Sequence, residues 1–232
     1  VYKRQHKIPL PVSASESHSM ANVRKTRVQM LQEVHEVLAL RRELAPHVHV
    51  EVGVSTAFGC TIEGHVCEDS VIGLAEALAH AGVDEVGLSD TTGMADPAQV
   101  RRLFTRLQHA IGERAGAAHL HNTRGLGLAN CLAAFEAGVR TFDASQGGLG
   151  GCPYAPGASG NVVTEDLVFM FESMGVSTGV DLEQLMQARA VLQQALPHEA
   201  LYGMTPAAGV GLRFAYADGR APQQRGPVKA SS

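Results

Sequence analysis

A chain of 232 residues, 45% of them hydrophobic, carries enough apolar surface for one large core and little more. With 19 basic and 23 acidic residues spread along it, the formal charge of -4 excludes the basic footprint of a nucleic-acid or anionic-membrane binder. No apolar run approaches a membrane span, no segment has signal-peptide architecture, and four cysteines without a CxxC pair read as reduced thiols, so a soluble cytoplasmic protein is expected.

Val1 to Lys7 is polar and basic and does not lead into a strand, so residues 1–7 are expected to be extraneous or disordered. Strand-like runs follow near 8–15, 47–55, 84–90, 115–121 and 139–145. Between them, residues 22–44 and 97–112 carry apolar positions close to the 3.6-residue period of an amphipathic helix. The stretch His47 to Val54 alternates strictly. In a strand covered by helices this places the valines under the helices and turns His49 and Glu51 to the other side, where Glu51 requires a partner. One domain over 8–206 is expected, with residues 207–232, rich in Gly, Arg, Pro and Gln, as a disordered tail.

Regular βα repetition predicts a parallel sheet covered by helices, an α/β fold of TIM-barrel type in which five of the eight units of a complete barrel can be counted. Polar or reactive residues gather at the C-terminal ends of the strands: Ser13 to Glu16, Ser55, Asp90, His119 with His121, and Ser145. In a barrel that end is the active face. A sheet with open edges is also prone to strand addition or aggregation.

Two imidazoles at i and i+2 of a strand point to one face and can share a metal ion, which makes His119 and His121 a candidate pair. Residues 147–161 then place six glycines around one thiol, Cys152, and close on an amide, Asn161. Such a loop is costly in folding entropy and suits close approach of backbone to a ligand. An amide oxygen beside two imidazoles shifts the preference toward Mg2+ or Mn2+ and leaves coordination positions open. Asp90, in Ser-Asp-Thr-Thr-Gly, reads either as a functional acid or as the cap of its turn. Glu165 reads equally as a functional acid or as an ordinary acidic helix start. Cys60, Cys67 and Cys131 read as structural, and His18, His35, His65, His80, His109 and His198 as solvated.

Three stretches, Gly-Leu-Ser-Asp-Thr-Thr-Gly (87–93), His-Leu-His-Asn-Thr-Arg-Gly-Leu-Gly-Leu-Ala-Asn (119–130) and the glycine loop running into Asn-Val-Val-Thr-Glu-Asp-Leu-Val (161–168), resemble the 3-hydroxy-3-methylglutaryl-CoA lyase family. The resemblance implies that His119, His121 and Asn161 bind a divalent cation, Mg2+ or Mn2+. It makes Cys152 the loop thiol that protonates a carbanion, and Asp90, His119 and Glu165 further catalytic groups. It also implies an acyl-CoA thioester as substrate, cleaved to acetyl-CoA and acetoacetate, and a homodimer when the chain is full length. Family barrels begin with a strand bearing an Arg-Asp pair, and no such strand precedes residue 8, so weak metal affinity and low turnover are expected of this polypeptide alone. The alternatives are a related Claisen-type synthase, against which the absence of a Gly-Glu-Arg stretch after the His pair argues, and a non-catalytic chain that binds CoA or pairs with other subunits.

Overall fold

The computed structural model describes residues 6–151 and 160–222. Five strands, β1 (Lys7–Ser13), β2 (His49–Ser55), β3 (Glu85–Ser89), β4 (Ala115–His119) and β5 (Phe142–Asp143), form one sheet in sequential order. Every neighbouring pair is parallel, which is the α/β arrangement of TIM-barrel type, with five strands among the described residues. Helices α1 (Glu16–Val23), α2 (Arg27–Leu44), α3 (Glu68–Ala81), α4 (Pro97–Ile111) and α5 (Gly127–Glu136) alternate with the strands. Beyond them lie α6 (Thr164–Ser173), α7 (Leu182–Ala195) and α8 (Met204–Ala208).

Apolar alternation decides which face of the sheet the helices cover. Val12, Val50, Val52, Val54, Val86 and Leu88 are all fully buried, in register on one face. Helix α4 covers its share with Val100, Leu103, Phe104 and Leu107, the i, i+3, i+4, i+7 set that one helical stripe requires. Its start is fixed by Asp96, whose carboxylate accepts from the N–H groups of Ala98 and Gln99, with Pro97 in the first turn.

The long helix expected over 22–44 is two helices. Arg24 takes a left-handed conformation (φ 56°), and Thr26 and Gln29 then form a reciprocal capping box that starts α2 afresh. The last strand is shorter than its predicted range because residues 138 and 139 still close the α5 turn, Gly138 N–H donating to Phe135 O and Val139 N–H to Ala134 O.

Lys7 belongs to β1 and not to an extraneous segment. Its ammonium lies 2.5 Å from Glu51 and 2.9 Å from Glu85, and so supplies the partner that Glu51 needs on the face opposite the valines. His49 approaches the same Glu85 carboxylate at 3.3 Å. The basic composition of residues 1–7 hid this role, because a lysine reads as solvated until the acids of two later strands are aligned beside it.

The described chain divides into two compact units. One runs through Ala144 and takes up Gly150–Val162; the other comprises Ser145–Leu149 and the residues from Val163 onward. In the second unit the described residues include 207–222, the first part of the expected tail. Tyr216, 5% exposed, packs with Val168 and Leu182, and its hydroxyl accepts from Leu182 N–H at 3.0 Å. Phe214 stacks on Phe169 and meets Tyr216 edge-on, so three aromatics hold a stretch whose Gly and Arg content suggested disorder.

At Gly87, in β3, an added Cβ would lie 2.5 Å from the Ala117 carbonyl oxygen of the neighbouring strand, whereas at Gly73, inside α3, it would meet nothing within 4 Å. In urea titrations, Gly87→Ala is expected to lose about 1–3 kcal/mol through overpacking. Gly73→Ala is expected to gain about 0.5–1 kcal/mol from helix propensity.

Candidate metal centre

Strand β4 ends at His119, in register with Ser89 of β3 and Asp143 of β5, and the chain continues extended through His121. There it is met by an antiparallel bridge between His121 and Asn161. Two backbone bonds hold the bridge: Asn122 N–H donates to Gly160 O and Val162 N–H to Leu120 O, each at 3.1 Å. The sequence spacing of two thus puts both imidazoles on one side, and the return of the glycine loop lays the amide side chain beside them.

The two imidazole Nε2 atoms lie 3.3 Å apart, with ring planes inclined at 58°. His121 is 6% exposed. Burial, reinforced by the neighbouring His119 ring, pulls its pKa down to about 4, so it is a neutral imidazole with a lone pair to offer at neutral pH. His119 Nδ1 stands 3.6 Å from Asp143 Oδ2, the kind of carboxylate that fixes which imidazole nitrogen faces a metal. The Asp143 carboxyl is held below its usual range by His119 first and by Lys7 as well, against the opposing effect of burial. The Asn161 amide nitrogen donates to Gly150 O at 3.5 Å, and its amide oxygen is the atom of metal-ligating type. Gly150 (φ 94°) is needed here, since a Cβ at that position would sit 2.9 Å from the Asn161 nitrogen.

Among the described residues, no three His, Cys, Asp or Glu side chains converge on one point. The imidazole pair becomes a three-donor set only through the Asn161 amide. The donor chemistry fits a divalent cation with vacant positions for substrate oxygens: two Nε2 atoms 3.3 Å apart, one on a buried and neutral ring, and an amide on the residue bridged to His121.

Asp90 follows β3, and its N–H donates to His119 O at 2.8 Å, which ties the two strand ends together. One carboxylate oxygen, Oδ1, accepts from the N–H groups of Met94 and Ala95; the other, Oδ2, is buried with no hydrogen-bond partner among the described residues. Burial pushes its pKa up to about 6, against the lowering effect of those two N–H groups and of Arg124. Asp90 is therefore both the cap of its turn and a carboxylate with one oxygen left unengaged. Arg124 braces the turn from the next βα loop by donating to Thr92 O and Gly93 O.

Glu165 stands in the first turn of α6. It lies in the second unit and is fully buried, with both oxygens engaged: Arg189 donates to one at 2.8 Å and Gly147 N–H to the other at 3.0 Å. The role this geometry gives it is to hold the left-handed Gly147 turn (φ 66°). Cys152 lies outside the described residues. His18 is not solvated: the Ser15 cap turns α1 so that the ring folds back on β1, 1% exposed, with Nδ1 2.8 Å from Ser13 Oγ. Sequence reasoning missed Asp143, although an acid near the end of a predicted strand was the available signal, and it missed Arg124, whose partners are backbone atoms and leave no pattern.

Comparison with known proteins places this geometry among relatives. A family model described as HMGL-like matches residues 4–192. The hydroxymethylglutaryl-CoA lyase of Bacillus subtilis is 41% identical over 187 residues, covering 80% of this chain and 61% of its own. The (R)-citramalyl-CoA lyase of Chloroflexus aurantiacus is also 41% identical, over 199 residues, covering 84% of this chain and 62% of its own. A solved HMG-CoA lyase from Acinetobacter baumannii, in complex with coenzyme A and 3-methylmalate, superposes with a TM-score of 0.82 at 42% identity, over 90% of this chain and 67% of that one. The chain thus spans a little over three-fifths of the length of the two curated relatives.

Asp90 makes a pH-dependent contribution to stability that can be measured without metal. Its folded pKa, about 6, lies above the ordinary value of 3.8, so the folded state holds the proton more tightly and stability is lost as pH rises through 6. Asp90→Asn removes that dependence while retaining an acceptor for the Met94 and Ala95 N–H groups. In chelator-treated protein the variant's stability relative to the native chain should improve by about 1 kcal/mol between pH 5 and pH 7.5, as read by urea midpoints.

Proposed function

The chain belongs to the HMGL-like family, and from that premise we propose that His119, His121 and Asn161 hold a divalent cation, Mg2+ or Mn2+, in a carbon–carbon lyase site for a 3-hydroxy-3-methylglutaryl-CoA-like thioester. The observation that supports this reading is the convergence of the two imidazole Nε2 atoms at 3.3 Å, with the Asn161 backbone bridged to His121. Equal identity to a hydroxymethylglutaryl-CoA lyase and to a citramalyl-CoA lyase supports a CoA thioester as the substrate class.

A cation bound there would polarise the substrate's C3 hydroxyl and lower its pKa. Asp90, with Oδ2 unengaged next to the end of β4, accepts the hydroxyl proton. The O–H bonding pair becomes the new carbonyl, and the C2–C3 pair stays with C2 as the acetyl-CoA enolate. Cys152 then delivers its thiol proton to C2, giving acetyl-CoA and acetoacetate. Asp143, beside His119 Nδ1, would favour the tautomer that leaves the Nε2 lone pair free for a cation. Glu165 is assigned a positioning role, through the Gly147 turn, rather than contact with substrate.

Thermal unfolding with added Mn2+ tests the site. The native midpoint should climb with metal concentration, the stabilisation reaching about 2.7 kcal/mol at a hundred times Kd. His121→Ala and Asn161→Ala should each remove most of that rise. A native chain indifferent to millimolar Mn2+, or an equal rise in His121→Ala, would overturn the ligand assignment.

A further inference from the structure

Three glycines lie inside strands of the sheet, Gly53 in β2, Gly87 in β3 and Gly116 in β4, and the packing around them explains two. At Gly87 an added Cβ would lie 2.5 Å from the Ala117 carbonyl oxygen, and at Gly116 it would run into the Glu85 side chain. Gly53 has no such neighbour. Beyond its own chain neighbours, the one described atom within 4 Å of its Cβ position is Ser89 Oγ at 3.4 Å, an ordinary contact, and its φ is not in the left-handed region. A glycine in a strand interior costs folding entropy and leaves adjacent strands without a side chain to pack on. Where neither backbone nor packing asks for it, close approach of a ligand is what it serves.

Position decides which ligand. Gly53 is in register with Pro11 and Gly87, on the face that carries Glu51 two residues before it and Ser55 two residues after. Ser89, against which its Cβ would rest, is in register with His119. The space over Gly53 therefore adjoins the candidate metal pair, one row toward the strand N-termini. We infer that Gly53 is a specificity-determining residue, keeping room for an uncharged branch larger than methyl on C3 of the acyl-CoA; the inference rests on the lyase reading given above. With the C3 hydroxyl directed to the imidazoles, a methyl stays at their level. Same-face residues along a strand are about 7 Å apart, a step that a longer alkyl branch covers. A charged arm is disfavoured by what lies below. The Lys7 ammonium is already paired with Glu51 and Glu85, so a further carboxylate would meet two acids and a lysine engaged by both.

The test uses 3-methylglutaryl-CoA and 3-propylglutaryl-CoA, which lack the C3 hydroxyl and are bound without being cleaved, in calorimetric titrations of the chain with Mn2+ present. The native chain should bind the propyl compound roughly tenfold more tightly, each CH2 taken from water contributing about fourfold. Gly53→Val should reverse that ratio. Gly53→Ala, whose Cβ makes only an ordinary contact, should fold at least as stably as the native chain while narrowing the ratio. A propyl preference that Gly53→Val leaves unmoved, or native affinities that favour methyl, would overturn the inference and leave the lyase reading standing. A native chain that binds neither compound refutes that reading, and this inference with it. Should Gly53→Val fail to fold, the alanine variant decides: an unaltered ratio, or a chain less stable than the native one, refutes the assignment.

Discussion

Two backbone hydrogen bonds, Asn122 N–H to Gly160 O and Val162 N–H to Leu120 O, are the constraint on which the site depends. Without them His119 and His121 would be a same-face pair at a strand end, a common arrangement with many inert examples. With them an amide side chain from forty residues later in the chain is fixed next to His121, and its nitrogen is tethered to Gly150 O. The glycines on either side serve this clamp physically. Gly160 takes φ 102° just before the bridge, and Gly150 leaves room for the Asn161 amide that any side chain would occupy.

The sheet beneath is divided by the same alternation that builds the pair. One face is valine and leucine packed under α2 to α4. The other carries Lys7, Glu51 and Glu85 toward the strand N-termini, and Ser13, Ser55, Ser89, His119 and Asp143 at the C-terminal ends. A polar face of this kind is stable only where its charges find partners, and Lys7 between two carboxylates meets that condition. The chemistry and the structural ion cluster thus occupy opposite ends of one surface.

What could be read from the sequence followed from periodicity. The strict alternation of His47 to Val54 gave the buried valines and the demand for a partner to Glu51, and the i, i+3, i+4, i+7 stripe gave α4 almost to the residue. The spacing of His119 and His121 gave the pair. What escaped depended on contacts between distant segments: Lys7 acquires its role from β2 and β3, His18 is buried by a turn that a helical pattern does not encode, and Tyr216 orders a glycine-rich stretch through Val168 and Leu182. The partners of Glu165 escaped for the same reason. An acid in a first helical turn looks like a dipole partner or a catalyst, and only the arrival of Arg189 and the Gly147 amide shows that both of its oxygens are engaged.

The charge states of the site carry one further consequence. Asp90 is pushed up to about 6 and His121 down to about 4, opposite directions on the pH scale but the same direction chemically, since each moves toward its neutral form. Had the carboxylate and an imidazolium been stabilising one another, the two shifts would have been reversed. Burial therefore outweighs pairing at both groups, Arg124 notwithstanding, and the strand ends around His119 hold two buried polar atoms, Asp90 Oδ2 and His121 Nδ1, with no hydrogen-bond partner among the described residues. A region with a neutral imidazole and a desolvated carboxylate oxygen has lone pairs to offer and gains from a positive ion brought from outside. The physical reason to expect a cation there thus lies in desolvation as much as in the identity of the ligands.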